Sequence, residues 1–365
     1  MALCVRLSVA YTEIAKHDLM QTDPVAQPDH ETEFIASLLE AAHKTGLCFS
    51  EAALVNFYVA LKSKPMVILT GPGGSGKIAA VQCLSQILMG DCAQCQLMVG
   101  HPWSFEKSEN LAMFTEVHTR YNTEKLISLI EEAWLPENVK RVFIACLTRI
   151  SPAELLSFFT EVASQLRRGQ LVGFGDVHFS EPVPFPPNLF LIGTMDTQNF
   201  DWWDPDLLSK TTIVQWPIAG TLTPTSKNES GLPWEGEFLH SWVRNKQTAY
   251  HKVHSILRRQ KQPLMSLLQI EALLRAHAIP GLHGLIDEAM LYLANSWSRL
   301  GNGLFDLSTS RNLEIALDLA MAQILLPHAG DRMREDAALR AKLLSTLTSQ
   351  FPRSAGFVAD LATSQ

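Results

Sequence analysis

The residues best placed to do chemistry in this 365-residue chain are Gly71, Pro72, Gly73, Gly74, Ser75, Gly76, Lys77 and Ile78, read as GPGGSGKI. A G-x-x-x-x-G-K loop cradles phosphate: the glycines let successive backbone N–H groups turn toward an anion, and a following helix adds the positive end of its dipole. Lys77 stands where such a lysine meets the β- and γ-phosphates, while Gly73, Gly74, Ser75 and Gly76 can offer N–H groups. Hydrolysis of a bound nucleotide needs more: a Mg²⁺ held by protein oxygens, a carboxylate that orients water, and a cation on the transferring phosphoryl group. The residue after the lysine, whose hydroxyl ordinarily holds Mg²⁺, is Ile78 here and carries no oxygen. Mg²⁺ would have to keep waters and phosphate oxygens in its place.

Other reactive side chains have plainer readings. Glu131, Glu132, Glu154 and Glu161 fall on helical patterns as solvated faces. Asp196, after an apolar run, is the acid placed at a strand end near the loop; it could orient a water or fill a metal position, although its charge would oppose a phosphate unless a cation intervened. Cys92 and Cys95 form a lone C-x-x-C without a second pair or a His couplet, so no metal site is assigned. His251 and His254 share a helix with no partner ligand in view and read as surface residues, while Trp202 and Trp203 read as cover for a core edge, with contact to a neighbouring subunit as the other reading.

The elements that must hold the loop are legible around it. Met66 to Thr70 (MVILT) is a buried strand before it, and Lys77 to Met89 an amphipathic helix after it. Upstream, Glu33 to Thr45 and Glu51 onward make a helical pair, with Ser50 as N-cap of the second. Downstream come strands at Gln96–Val99, Arg141–Leu147, Leu189–Met195 and Thr211–Trp216. Helices are expected at Thr123–Trp134, Pro152–Leu166 and Pro205–Ser209, with a hairpin over Gly169–Pro187. Strands that are nearly all apolar and alternate with helices predict a parallel sheet covered on both sides. Past Pro217 the composition shifts to Pro, Thr, Ser, Asn and Gly. Then helical patterns follow over Glu237–Lys261, Leu264–His277, Leu282–Leu300, Arg311–Leu326 and Arg332–Thr348. The expected division is 1–31 as an N-terminal extension, 32–216 as the α/β core, 217–236 as a linker and 237–365 as an all-helical domain.

Composition sets the outer limits. Hydrophobic residues at 47% and charged residues at 18% fit a globular chain. A net charge of −7 argues against a broad nucleic-acid surface, leaving Arg258, Arg259 and Lys261 as a local basic patch, read as a helix end. No apolar run reaches the roughly 18 residues of a membrane span, and the N-terminus lacks a secretory core, so a cytoplasmic location without membrane contact is expected. Cys4, Cys48, Cys83, Cys92, Cys95 and Cys146 lie mostly in apolar patterns, as reduced thiols do.

Helical pair, phosphate loop, parallel sheet and helical lid in that order resemble the AAA+ ATPases, a P-loop NTPase fold with a three-layer core. Within them the chain looks most like the dynein-related branch that contains the McrB-type motor subunits of modification-dependent restriction systems. The residues that carry the resemblance are LVNFYVALKSKPMVILTGPGGSGK, PPNLFLIGTMDTQN (Pro186 to Asn199) and DPDLLSKTTIVQW, with a weaker echo in ALDLAMAQILLPHAG (Ala316 to Gly330). The resemblance implies ATP or GTP as ligand, other AAA+ subunits as partners in an oligomer, and a nuclease partner by analogy. It also places an acid pair at the end of the third strand, where RVFIACLTRIS puts Ala145 and Cys146, neither able to do that work. At the family's interface arginine stands Lys210, which keeps the charge without the planar fork. Arg311 is the candidate lid arginine; a helix-surface arginine is the alternative reading. The expected function is therefore a degenerate module, a pseudo-ATPase that binds nucleotide with little or no hydrolysis and serves as a structural or regulatory subunit. Two readings stay open beside it: an active NTPase with relocated metal ligands, with Asp196 foremost, and an interaction scaffold that keeps the fold as architecture only.

Overall fold

The computed structural model describes residues 29–44, 47–48, 50–89, 95–99, 128–138, 141–148, 150, 186, 188–196, 208, 211–217, 220–221, 246–257, 261–279, 281–347 and 350–363. In chain order its elements are α1 (His30–Lys44), β1 (Leu47–Cys48), α2 (Glu51–Ser63), β2 (Met66–Thr70), α3 (Lys77–Met89), β3 (Cys95–Val99), β4 (Phe143–Thr148), β5 (Leu189–Met195), β6 (Thr212–Gln215) and β7 (Gly220–Thr221). Helices follow: α4 (Lys246–Leu257), α5 (Lys261–Ala276), α6 (Leu282–Asn295), α7 (Thr309–Ala320), α8 (Gly330–Glu335), α9 (Ala337–Leu347) and α10 (Pro352–Thr363). Two compact units divide the chain: Ala36–Trp242, and Val243–Gln365 with the segment that ends at Ile35. The fold is mixed α/β, and no helix among the described residues is long and apolar enough to cross a membrane.

The α/β unit is built on a five-stranded parallel sheet in the order β3-β4-β5-β2-β6. Every residue of β2, β4 and β5 is buried. Since alternate side chains of a strand point to opposite faces, both faces of the sheet are covered, as continuous apolar runs require. Helix α2 packs on β2 and β6, and α3 on β4. Strand β2, which leads into the glycine-rich loop at Gly71, is interior: Thr70 pairs with Met195 of β5 and with Gln215 of β6. A small antiparallel pair sets Leu47 opposite Thr221. Ser50 is the N-cap of α2 as expected, but its side chain makes no capping bond; its carbonyl accepts from Ala53 N and Leu54 N instead.

Helices α4 to α10 make the second unit, with α6 against α4 and α7, α9 against α5, and α10 against α7 and α9. Several expected helix ends move, each for a local polar reason. The helix begun at Leu282 stops at Asn295, five residues short of Leu300, because the chain turns into a bonded loop. There the Asn312 carboxamide accepts from Phe305 N at 2.8 Å and donates to Ser296 O at 3.1 Å, while Lys252 Nζ reaches Trp297 O at 3.1 Å. The expected Arg332–Thr348 helix is broken at Asp336, whose carboxylate accepts from Leu339 N at 2.9 Å and starts α9. That backbone bond holds the Asp336 carboxyl below its ordinary range. Helix α7 passes into a wider π turn over Met321–Leu325, and α10, not foreseen, is capped by Asp318 through Arg353 N and Ser354 N at 3.0 and 2.8 Å.

Candidate phosphate-binding loop

Residues 71–76 close a tight loop between β2 and α3. Gly74 and Gly76 take φ of +75° and +85°, the left-handed region that other residues enter at a cost. At Gly71 the constraint is space: a Cβ there would lie 2.3 Å from the carbonyl oxygen of Trp216. Ser75 N donates to Pro72 O at 3.3 Å, Gly71 N to Met195 O at 3.3 Å, and Ala80 N to Gly76 O at 2.9 Å. The loop is therefore tied to β5 on one side and to the first turn of α3 on the other.

Lys77 opens α3 and folds its side chain back over the loop. Its ammonium donates to Gly71 O at 3.0 Å, Pro72 O at 2.8 Å and Ser75 Oγ at 3.2 Å, and pairs with Asp196 Oδ1 at 2.8 Å. The lysine side chain is only 4% exposed, that of Asp196 42%. Asp196 follows β5 directly, and the parallel pairing of β5 with β2 is what brings it here. The second carboxylate oxygen, Oδ2, lies 3.7 Å from where a Cβ on Gly73 would sit.

Trp216 is a member of the site that the sequence pattern left in the core. It follows β6, and its indole N–H donates to Ser75 O at 3.0 Å while its backbone N–H donates to Thr70 O. The ring meets Phe57 of α2 edge-on, with centroids 6.2 Å apart. Trp216 was expected as the last residue of the strand Thr211–Trp216, and the strand ends one residue earlier, at Gln215.

The metal and acid positions differ from the loop. Ile78, half-buried in the first turn of α3, presents a hydrocarbon. Strand β4 runs to Thr148, one residue past the expected Leu147, since a β-branched threonine continues a strand well. Ala145 and Cys146 are thus interior residues of β4, not its end; Cys146 lies beside Ile192, which lies beside Val67. Both are fully buried. Burial, and secondarily the charge of Cys95, pushes the Cys146 thiol far above the ordinary range; burial pushes that of Cys83 up to about 11.

Of the remaining sequence candidates, Arg311 belongs to the helical unit, near the start of α7, exposed and paired with Glu314 at 3.3 Å. Lys210, Trp202, Trp203, Cys4, Cys92, Glu154, Glu161, Arg258 and Arg259 lie outside the described residues, as do the expected helix over 152–166 and most of the hairpin over 169–187. Glu131 and Glu132 are exposed, in line with solvated positions, and His254 is buried in α4 where a surface position was expected.

No protein-family model matches the chain, and no curated protein matches it. Seventeen chains of solved structures do match. One is a structure of PCH-2 of C. elegans, which is 11% identical with a TM-score of 0.31, over 83% of this chain and 76% of that one.

Proposed function

We propose that the chain is a nucleotide-binding module of AAA+ type, of the McrB-like branch, that takes ATP or GTP in the loop from Gly71 to Ile78 and hydrolyses it little or not at all. The observation that carries this reading is a contrast within one sheet. Gly71–Lys77 keeps the backbone geometry and the lysine of a phosphate cradle, while Ile78 supplies no oxygen for a metal, and Ala145 and Cys146, which the resemblance set at the acid positions, lie buried inside β4 and carry no carboxylate. Loss of a general base alone lowers turnover by about 10²- to 10⁴-fold. On this reading 32–216 is the core, 237–365 the helical lid reached through the 217–236 linker, and 1–31 an extension. The module works in the cytoplasm as a structural or regulatory subunit beside other AAA+ subunits, with a nuclease as the partner that analogy suggests.

Titration of the purified protein with ATP and GTP, with and without Mg²⁺, tests it together with phosphate release. Saturable binding with negligible release is expected. Release at an ordinary enzymatic rate, abolished in Lys77→Ala, would overturn it. A second reading, an active NTPase with relocated ligands, is favoured by Asp196 beside Lys77. It requires that Asp196→Asn abolish turnover, so unchanged release in that variant removes it.

A further inference from the structure

We infer that Asp196 is a built-in competitor for Lys77, an internal anion that a phosphate ligand must displace and that thereby sets which ligands the loop accepts; the inference rests on the nucleotide-binding reading above. An ammonium has three N–H donors. Four protein oxygens stand within 3.2 Å of the Lys77 ammonium, those of Gly71, Pro72, Ser75 and Asp196. The donors are spoken for, so a phosphate oxygen gains a bond to Lys77 only by replacing one of these. Two of the four are backbone carbonyls of the loop and the third belongs to buried Ser75. The Asp196 carboxylate is the replaceable one, being 42% exposed and free to turn into water, while Lys77 at 4% is not.

The carboxylate does more than hold a donor. Its Oδ2 lies near Gly73, one of the residues whose N–H groups would bind an anion. The backbone beneath it is fixed, because Met195 pairs with Thr70 and accepts from Gly71 N at 3.3 Å. Displacement is therefore a side-chain rotation with no movement of the strand. A single orthophosphate offers little to offset it, whereas a polyphosphate reaches Lys77 and the loop N–H groups together. The ligand class is accordingly a di- or triphosphate, and the residue that excludes smaller anions is Asp196.

Calorimetric titration with ATP and with inorganic tripolyphosphate in EDTA tests this in the full chain, in Asp196→Asn and in Asp196→Ser, with circular dichroism as the check on folding. Both variants should bind both ligands at least about tenfold more tightly, as removing a charge a few ångströms from the phosphates requires, and should gain affinity for orthophosphate. Binding by the unaltered protein with equal or weaker binding by both folded variants overturns the competitor and leaves the nucleotide-binding reading standing. No saturable binding by any of the three up to millimolar ligand overturns both. If Asn misfolds, the Ser variant decides by the same comparison.

Discussion

The carboxyl end of β2 and the interior of β4 lie two strands apart in one parallel sheet and are finished in opposite ways. At β2 the chain ends in glycines, a buried lysine and a set of oxygens that satisfy it; polar groups are brought together and each is matched. At β4 the interior positions Ala145 and Cys146, where an acid pair was expected, are wholly buried, with Cys146 between Leu97 and Ile192. A polar site can persist only if it is fully bonded, and an apolar strand only if no charge enters it. On the proposed reading, holding an anion would rest on the end of β2 and would not require a carboxylate from β4.

The largest blow to the contrast is Lys77→Ala. It should weaken nucleotide binding about a hundredfold, since charge-assisted bonds to phosphate are lost, with titration calorimetry as the measure. Next is Cys146→Glu, which ought to cost about 3 kcal/mol or more in denaturant unfolding at neutral pH without restoring phosphate release, because the new carboxylate is buried with no partner. A buried carboxyl holds its proton above the unfolded value, so the loss grows as pH rises above about 4, while the part due to overpacking and to burying the neutral carboxyl remains at lower pH. Recovery of turnover in that variant would dissolve the contrast altogether.

Smaller effects sharpen it. Trp216→Phe keeps the ring but loses the bond to Ser75 O; a cost of about 1 kcal/mol in stability and about fivefold in affinity is expected, and an affinity unchanged would mean that the loop does not depend on its brace. The least effect concerns the thiols. Cys83, raised from 9.0 to about 11, and Cys146, raised further, keep their protons in the folded state after the unfolded chain has released them. Stability should accordingly decline as pH climbs above 9.0, and both residues should resist alkylation at neutral pH until the protein is unfolded, as mass spectrometry can follow.

How much of this was visible in the sequence depends on where each property is decided. The loop was legible because glycine geometry and a lysine are local requirements, and β2, β4 and β5 because burial on both faces writes itself as an unbroken apolar run. Asp196 was legible as a strand-end acid, but not as the partner of Lys77: that follows from the neighbourship of β2 and β5, a long-range fact. Trp216 was hidden for a related reason, since a tryptophan reads as core until its N–H has somewhere to go. The helix ends at Asn295 and Asp336 were missed because side-chain bonds from Asn312 and from Asp336 itself overrule apolar periodicity.

The interior position of β2 has a consequence for how the protein comes to be. Both of its sheet neighbours, β5 and β6, are encoded more than a hundred residues later in the chain. During synthesis the strand and the loop behind it have no ladder to join until the chain through Trp216 has emerged, and closing so long an interval is slow. The loop from Gly71 to Lys77 is thus among the last parts of the α/β unit to be assembled, although its residues are among the first to be made.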